Sequence, residues 1–301
     1  MIFPNLFVPG AAKSATSSLH DYLGQHPQIF MCKIKEPHYF SNDASINCDS
    51  ASRLSEYTSL FADGQGYPIR GESSTGYMIF PHVAERIKKT IPDPRFIFIF
   101  RNPIDRAYSH YWWLRGRGHE TRAFRDAVLA DMYELPNPEN RITGLGGYRY
   151  YFAFGQYGKY LQPFITAFGR ASVLIIITEQ MRSSLLATLN LCFEFLRVAT
   201  LKEVLPIRAN ETIVYGHAWL YRIASTISSQ VGFSRFLKRK FTAEGYTNLY
   251  QIAGRVLKRQ SHYPAISTSD RRWLGALYRD EVQELREMTG LTFDEWASDY
   301  P

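Results

Sequence analysis

The sequence is poor in cysteine, and its three cysteines, Cys32, Cys48 and Cys192, lie far apart along the chain. An odd number of widely separated cysteines argues against a disulfide framework and against a four-cysteine zinc site. The cysteine pattern therefore favours a reducing compartment.

Long hydrophobic runs are also missing. No stretch reaches the roughly 20 apolar residues that a membrane-spanning helix needs, and the longest apolar runs, around residues 96–100 and 173–177, have the length of strands. The N-terminus lacks the basic region and cleavage site of a secretory signal. We therefore expect a soluble, cytoplasmic protein without a membrane partner.

The 301 residues are 45% hydrophobic and 21% charged, a composition that argues against disorder. We find no internal repeat and no linker, so the sequence predicts a single domain over residues 1–301. The net charge of +7 favours an anionic partner or, alternatively, marks a solvated basic face. Basic and aromatic residues form no recognisable nucleic-acid motif, and we expect no nucleic-acid partner.

Three short apolar segments are predicted to be buried strands: residues 2–8, Arg95–Phe100 and residues 172–178. Helical patterns alternate with them, which predicts an α/β fold, a three-layer sandwich with a central, mainly parallel sheet. Ligands of such folds bind at the carboxyl ends of the strands. The predicted helices cover residues 17–23, 52–61, 82–89, 155–168, 185–196 and 270–289, with a further one beginning at Pro103.

Small and hydroxyl-bearing residues follow the first predicted strand, in segment 9–19. Small residues let backbone N–H groups approach an anion, and the helix that follows directs its positive end at the same point. The segment is not a Walker A sequence, since no glycine precedes Lys13 directly. It is either a phosphate-binding turn or an ordinary strand–helix turn with serine caps. The candidate binding residues are Gly10, Ala12, Lys13, Ser14, Ala15, Thr16, Ser17 and Ser18.

A second motif begins where the second predicted strand ends. Arg101 is followed by Asn102 as a helix N-cap and Pro103 at the first helical position. Arg101 and Ser109 are spaced to bind one phosphate together, because the planar guanidinium can contact two oxygens. The alternative is a capped helix with a surface serine.

Together, the two motifs resemble the sulfotransferases that use 3′-phosphoadenosine 5′-phosphosulfate. In that family a Lys-Ser-Gly-Thr-Thr-like loop binds the 5′-phosphosulfate, and an arginine and a later serine bind the 3′-phosphate. Arg101 and Ser109 have that spacing, while Ala15 stands where glycine is usual in the loop. The resemblance implies this donor, 3′-phosphoadenosine 5′-phosphate as its product, a P-loop-like turn and no required metal.

The likeness extends to the heparan-sulfate branch of the family. Segment 35–40, Lys-Glu-Pro-His-Tyr-Phe, resembles the one that carries the branch's catalytic glutamate, which implies Glu36 as the base and leaves His38 as its rival. Segment 71–77 resembles the branch's next loop. There a lysine commonly follows the glutamate, but here Ser73 stands in its place. We expect Glu72 to orient a neighbour rather than move a proton.

The end of the chain, from Tyr263 to Trp296, resembles the tail of bacterial members of the family. The family's late donor-binding loop should lie just before this tail. Lys258 and Arg259 are therefore further candidates for donor binding.

The sequence thus predicts a sulfotransferase that acts on a hydroxyl, less readily an amine, of a glycan or a small metabolite. Lys13 would neutralise the charge on the leaving nucleotide, and Glu36 or His38 would take the acceptor's proton. Two alternatives stay open: a P-loop-like nucleotide kinase, which would need magnesium-binding carboxylates, and a non-catalytic anion-binding module. The sequence does not indicate an oligomeric state.

Overall fold

A computed structural model describes residues 1–41, 51–134, 148–207 and 263–300. It divides into two compact units. The first contains Met1–Arg106, Phe154–Asn210 and Arg271–Pro301, and the second contains Ala107–Ala153 and Glu211–Asp270. The single domain over residues 1–301 stays a prediction.

A five-stranded sheet forms the centre of the first unit. Its strands are β1 (Leu6–Val8), β2 (Ile29–Met31), β3 (Ile69–Ser73), β4 (Arg95–Phe100) and β5 (Val173–Ile177). They lie in the order β2-β3-β1-β4-β5, and every pair is parallel. Consequently, all five carboxyl ends lie at one edge, where ligands of such sheets bind.

The two faces of the sheet are covered by different kinds of side chain. In β4, Ile97 and Ile99 pack with leucines of two helices, Thr16–Leu23 and Leu185–Leu196. The alternate residues of β4 are phenylalanines, and Phe100 stacks on Tyr157 with ring centroids 4.2 Å apart. Because successive strand residues face opposite sides of the sheet, both faces of the sheet present apolar side chains on which helices pack. The predicted three-layer α/β arrangement with a parallel sheet is confirmed.

The predicted helices agree with the observed ones to within a few residues at their ends. The main differences are a shorter first strand, at Leu6–Val8, and elements that the pattern did not predict. These are the two strands β2 and β3 and the two helices Phe124–Tyr133 and Thr178–Ser183. In chain order the helices are α1 (Thr16–Leu23), α2 (Ala51–Ser59), α3 (Pro81–Thr90), α4 (Pro103–Arg115), α5 (Phe124–Tyr133), α6 (Tyr157–Phe168), α7 (Thr178–Ser183), α8 (Leu185–Leu196) and α9 (Thr268–Thr289).

The described part of the second unit is held together by aromatic rings and one buried carboxylate. Tyr111 packs edge-on against Phe124 and Tyr151. Glu120 is almost completely buried and accepts hydrogen bonds from the Arg122 guanidinium and, at 2.8 Å, from the Tyr151 hydroxyl. A buried carboxylate with several donors of this kind is fully satisfied and fixes its neighbours.

Two glycines close together in the first unit differ in the space around them. A Cβ at Gly155 would lie 2.7 Å from Cζ of the buried Tyr278, whereas a Cβ at Gly158, inside α6, would meet only Met288 Cε at 3.6 Å. We expect Gly155→Ala to lower the free energy of unfolding by about 1–3 kcal/mol through overpacking. Gly158→Ala should raise it by about 0.5–1 kcal/mol, because alanine is the better helix former. Urea denaturation of both variants tests this, and equal effects of the same sign would contradict it.

Candidate active site

The loop after β1 continues to pair with β4 before it turns. Ala11 N–H donates to Ile99 O at 2.8 Å, and Ile99 N–H donates to Gly10 O at 2.9 Å. A Cβ at Gly10 would lie 2.9 Å from Met78 Cβ, closer than real Cβ contacts come. Glycine is therefore required at this position by the close approach of a neighbouring turn.

Two residues of the loop have left-handed backbone conformations, Lys13 with φ 70° and Ala15 with φ 66°. Such a conformation costs a residue with a Cβ roughly 1–2 kcal/mol, which accounts for the glycine that sulfotransferase loops usually have at the position of Ala15. Ala15 is also the N-cap of α1, and no described side chain caps this helix end. The first N–H groups of α1 are thus left for a ligand.

Arg101 and the loop meet at the carboxyl edge of the sheet. Arg101 Nη1 lies 3.4 Å from Lys13 O, and the Tyr157 hydroxyl donates to Arg101 O at 2.7 Å. Arg101 Nε is buried and has no hydrogen-bond partner among the described residues. The Ser14 hydroxyl is also completely buried. It makes no hydrogen bond of normal geometry with the described residues, but it lies close enough to the Tyr157 hydroxyl to interact with it.

Unsatisfied buried donors are rare in proteins, because leaving one without a partner costs about 1–3 kcal/mol. Arg101 Nε is such a donor, and it lies beside a loop that also presents Lys13. The residues present therefore fit an anionic ligand such as a nucleotide that carries phosphate groups. Of the other predicted loop residues, Thr16 is buried, and the partly exposed ones are Ala12, Ser17 and Ser18.

The remaining predicted donor-binding residues are not tested by this geometry. Ser109 is buried in α4, in the part of that helix that belongs to the second unit. Lys258 and Arg259 lie outside the described residues. Their roles, and the joint binding of one phosphate by Arg101 and Ser109, stay predictions.

Glu36 and His38 lie together, one on each side of Pro37, and both have positive φ values, 58° and 53°. Non-glycine residues in this region are uncommon, and functional sites are one of the places where they cluster. The Glu36 carboxylate accepts hydrogen bonds from Thr75 N–H at 2.7 Å and from Lys35 Nζ at 2.8 Å. His38 Nε2 lies 3.3 Å from Glu36 Oε2, the oxygen that also accepts from Thr75 N–H.

Both ring nitrogens of His38 face polar groups. Nε2 lies 3.3 Å from Glu36 Oε2, and Nδ1 lies 3.2 Å from the Ser41 hydroxyl. Burial lowers the pKa of His38 below its usual 6.5, an effect that outweighs the nearby Glu36 carboxylate. His38 is therefore neutral at pH 7 and lies beside the Glu36 carboxylate. A Cβ at Gly76 would lie 3.0 Å from His38 Cε1, so this glycine leaves the space that the imidazole fills.

Glu72, at the end of β3, is completely buried and is surrounded by hydroxyl donors. It accepts from Tyr57 at 2.5 Å, from Tyr77 at 2.9 Å and from Ser74 at 2.7 Å. Burial raises the pKa of Glu72 from 4.5 to about 7, because three hydroxyl groups compensate only part of the lost hydration.

Two of these hydroxyls also hold the segment that carries His38. Ser74 Oγ accepts from His38 N–H at 3.2 Å, and Tyr77 Oη accepts from Phe40 N–H at 3.2 Å. Glu72 therefore orients both hydroxyls towards the backbone of this segment, in line with the orienting role expected for it. Sequence reasoning missed Tyr57, which contacts Glu72 from α2, 15 residues earlier in the chain, and which no local motif marks.

Ser73 stands where a lysine is common in the heparan-sulfate branch, and its hydroxyl lies 2.9 Å from Nδ1 of the buried His20. Burial lowers the pKa of His20. The position therefore holds a neutral pair instead of a second cation.

The donor loop and the Glu36 segment border the same turn, Thr75–Tyr77. At one end, Met78 N–H donates to Pro9 O at 3.1 Å; at the other, Thr75 binds Glu36 through both N–H and hydroxyl. The predicted base and the predicted anion loop are thus joined through one short turn of the first unit.

In the described residues, no three histidine, cysteine, aspartate or glutamate side chains are grouped so that they could hold a metal ion. The search of the same part of the chain for a helix long and apolar enough to cross a membrane also found none. Independence from metal stays a prediction.

Comparison with known proteins gives a consistent result. No family model matches the chain. A membrane-associated sulfotransferase, kil1, of Dictyostelium discoideum is 32% identical over 112 residues, 37% of this chain and 23% of that protein. The human bifunctional heparan sulfate N-deacetylase/N-sulfotransferase 3 is 25% identical over 297 residues, 95% of this chain and 30% of that protein. The chain therefore spans less than a third of the length of either protein.

The crystal structure of a sulfotransferase from Alicyclobacillus acidocaldarius superposes with a TM-score of 0.69 at 24% identity, over 99% of this chain and 100% of that one. The chain has the sulfotransferase fold. The resemblance that the two motifs predicted is confirmed, both by sequence and by fold. In this fold the loop after β1 is the P-loop-like turn, and the chain has it with Ala15 at the usual glycine position.

The buried Glu72 makes the stability of this sulfotransferase fold depend on pH. The pKa of Glu72 is about 7 in the folded chain and 4.5 when unfolded, so the folded state binds a proton more tightly. The contribution of Glu72 to stability is therefore highest below pH 4.5 and falls as the pH rises through 7. Relative to Glu72→Gln, the wild type should lose about 2.5 kcal/mol between pH 5 and pH 8.

Urea denaturation at a series of pH values measures this difference. Glu203→Gln, which removes an exposed carboxyl group, is the matched control, and its stability should follow that of the wild type. If the stabilities of Glu72→Gln and the wild type also stay parallel across this range, the burial argument for Glu72 is wrong.

Proposed function

We propose that this chain is a sulfotransferase that moves a sulfuryl group from 3′-phosphoadenosine 5′-phosphosulfate to an acceptor hydroxyl. One observation carries the proposal. Arg101 Nε is a buried donor without a hydrogen-bond partner among the described residues, at the edge of the sheet where the sulfotransferase fold has its P-loop-like turn. The sulfotransferases among the chain's relatives support the same reaction.

The donor supplies the sulfuryl group and leaves as 3′-phosphoadenosine 5′-phosphate. Sulfuryl transfer, like phosphoryl transfer, depends on positioning and on stabilising charge that spreads over the oxygens. The N-terminal end of α1 and the Lys13 ammonium provide that positive environment. Arg101 adds a guanidinium whose planar fork suits a second phosphate.

Glu36 is the proposed base. The acceptor hydroxyl gives its proton to the Glu36 carboxylate while its oxygen forms the new bond to sulfur. His38, which is neutral and lies beside the carboxylate, positions Glu36 rather than competing with it for the proton. Lys35 and Thr75 donate to the two carboxylate oxygens and fix their orientation.

Several finer points belong to the same proposal. The acceptor is a carbohydrate or a small molecule, with a hydroxyl favoured over an amine. We further propose a cytoplasmic location, no nucleic-acid partner and no metal requirement. None of the described contacts favours a nucleotide kinase or a non-catalytic module over this reaction.

Donor recognition is tested first with 3′-phosphoadenosine 5′-phosphate, adenosine 5′-phosphate and ATP, by calorimetry without magnesium. The bisphosphate should bind with micromolar affinity and much more tightly than the other two. Arg101→Ala should weaken its binding about 10–100-fold, the cost of a lost charge-assisted hydrogen bond. Arg95→Ala is the matched control, because Arg95 begins the same strand at the opposite edge of the sheet. Equal losses in both variants, or no preference for the bisphosphate, would contradict the proposed donor site.

The base is tested by turnover with radiolabelled donor and a panel of glycan, phenol and alkyl-alcohol acceptors. Glu36→Gln should lower kcat at least ~100-fold, the usual contribution of a general base, while bisphosphate affinity stays unchanged. His38→Ala should lose only about tenfold, because its proposed role is to orient Glu36. An active Glu36→Gln beside an inactive His38→Ala would move the base to His38.

A further inference from the structure

Thr178, the first residue after β5, connects two loops that follow different strands. Its side chain is 1% exposed, and Oγ1 lies 2.9 Å from Ser14 O and 2.9 Å from Phe100 O. Ser14 belongs to the loop after β1, and Phe100 is the last residue of β4. A hydroxyl has one hydrogen, which these two carbonyl oxygens share.

The contact with Ser14 O controls the direction of an N–H group in the loop. The Ser14–Ala15 peptide bond is trans, so its C=O and N–H lie in one plane and point in opposite directions. A carbonyl drawn towards Thr178 therefore turns the Ala15 N–H away from Thr178. This N–H lies at the N-cap of α1, which no described side chain caps.

The next residue, Glu179, binds the chain that follows β4. Its Oε1 accepts from Asn102 N–H at 3.0 Å, and its Oε2 accepts from Trp296 Nε1 at 3.3 Å. Asn102 directly follows Arg101. Two consecutive residues thus fix the loop after β1 and the chain after β4, although β5 itself pairs only with β4.

We propose that Thr178 is a positioning residue for the donor site: its hydroxyl links the loop after β1 to the end of β4, so that the loop N–H groups and Arg101 meet one anion. The inference rests on the proposed function, since it assumes that the anion is the donor nucleotide. Thr178 itself is not expected to touch the nucleotide, because its hydrogen is used by the two carbonyl oxygens.

Thr178→Val tests this, because valine has the same shape without the hydroxyl. Its affinity for 3′-phosphoadenosine 5′-phosphate, measured by calorimetry, should fall at least tenfold. Thr178→Ser keeps the hydroxyl and should bind within about threefold of the wild type. Both are accompanied by urea denaturation, so that affinity and stability are compared in the same samples.

Thr188→Val is the matched control. Thr188 is also a buried threonine of the first unit whose hydroxyl donates to a backbone carbonyl, Ser184 O at 3.0 Å, but it lies inside α8. It should lose stability and keep full affinity. If Thr178→Val does not fold, Thr178→Ala, which lacks the same hydroxyl, carries the same expectation.

Three results would overturn the inference: Thr178→Val binding as the wild type does, Thr178→Ser losing as much as Thr178→Val, or Thr188→Val losing as much. A wild type that does not bind the bisphosphate at all would overturn the proposed donor and the inference together. Wild-type binding with an unchanged Thr178→Val would overturn only the inference.

Discussion

The candidate site depends on the position of β1 between β3 and β4. Because all three strands run parallel, the segments that follow them leave the sheet at the same edge. The loop with Lys13, the turn beyond Glu72 and the residue Arg101 therefore come together at that edge. Pairing of the backbone continues into the loop itself, through Ala11 and Ile99, and this extends the order of the sheet into the anion-binding region.

The second constraint is a buried carboxylate that is satisfied only by hydroxyl groups. Glu72 holds Tyr57, Tyr77 and Ser74, and through two of them it fixes the backbone at His38 and Phe40. A lysine beside this carboxylate would neutralise it directly, but here Ser73 is bound to His20 instead. Neutral hydroxyl dipoles thus offset only part of the cost of ionising Glu72. The carboxyl group therefore changes its protonation near neutral pH, whereas a salt bridge would keep it ionised.

Sequence patterns were sufficient where a local signal was strong. The apolar β4 and β5, the Asn102-Pro103 helix start and the small-residue loop after β1 were all predictable. The strands β2 and β3 were not, because β2 has only three residues and β3 reads Ile-Arg-Gly-Glu-Ser, a polar sequence that is buried by its neighbours. The contact of Tyr57 with Glu72 and that of Thr178 with Ser14 join separate elements of the fold, which no pattern along the chain records. For Thr178 the only signal was its place at the end of a predicted strand.

The segments that fix the donor loop lie far apart in the sequence, and this affects how the protein folds. Leu6 pairs with Gly71 and Arg95, and the Thr178–Ser14 hydrogen bond joins residues 164 positions apart. Contacts between such distant segments form slowly, because closing a long loop costs entropy before any contact stabilises it. The loop after β1 therefore acquires its final shape only after segments far along the chain have joined the sheet. A nucleotide that binds only this finished loop would stabilise the folded state by mass action, and the more so the higher the nucleotide concentration.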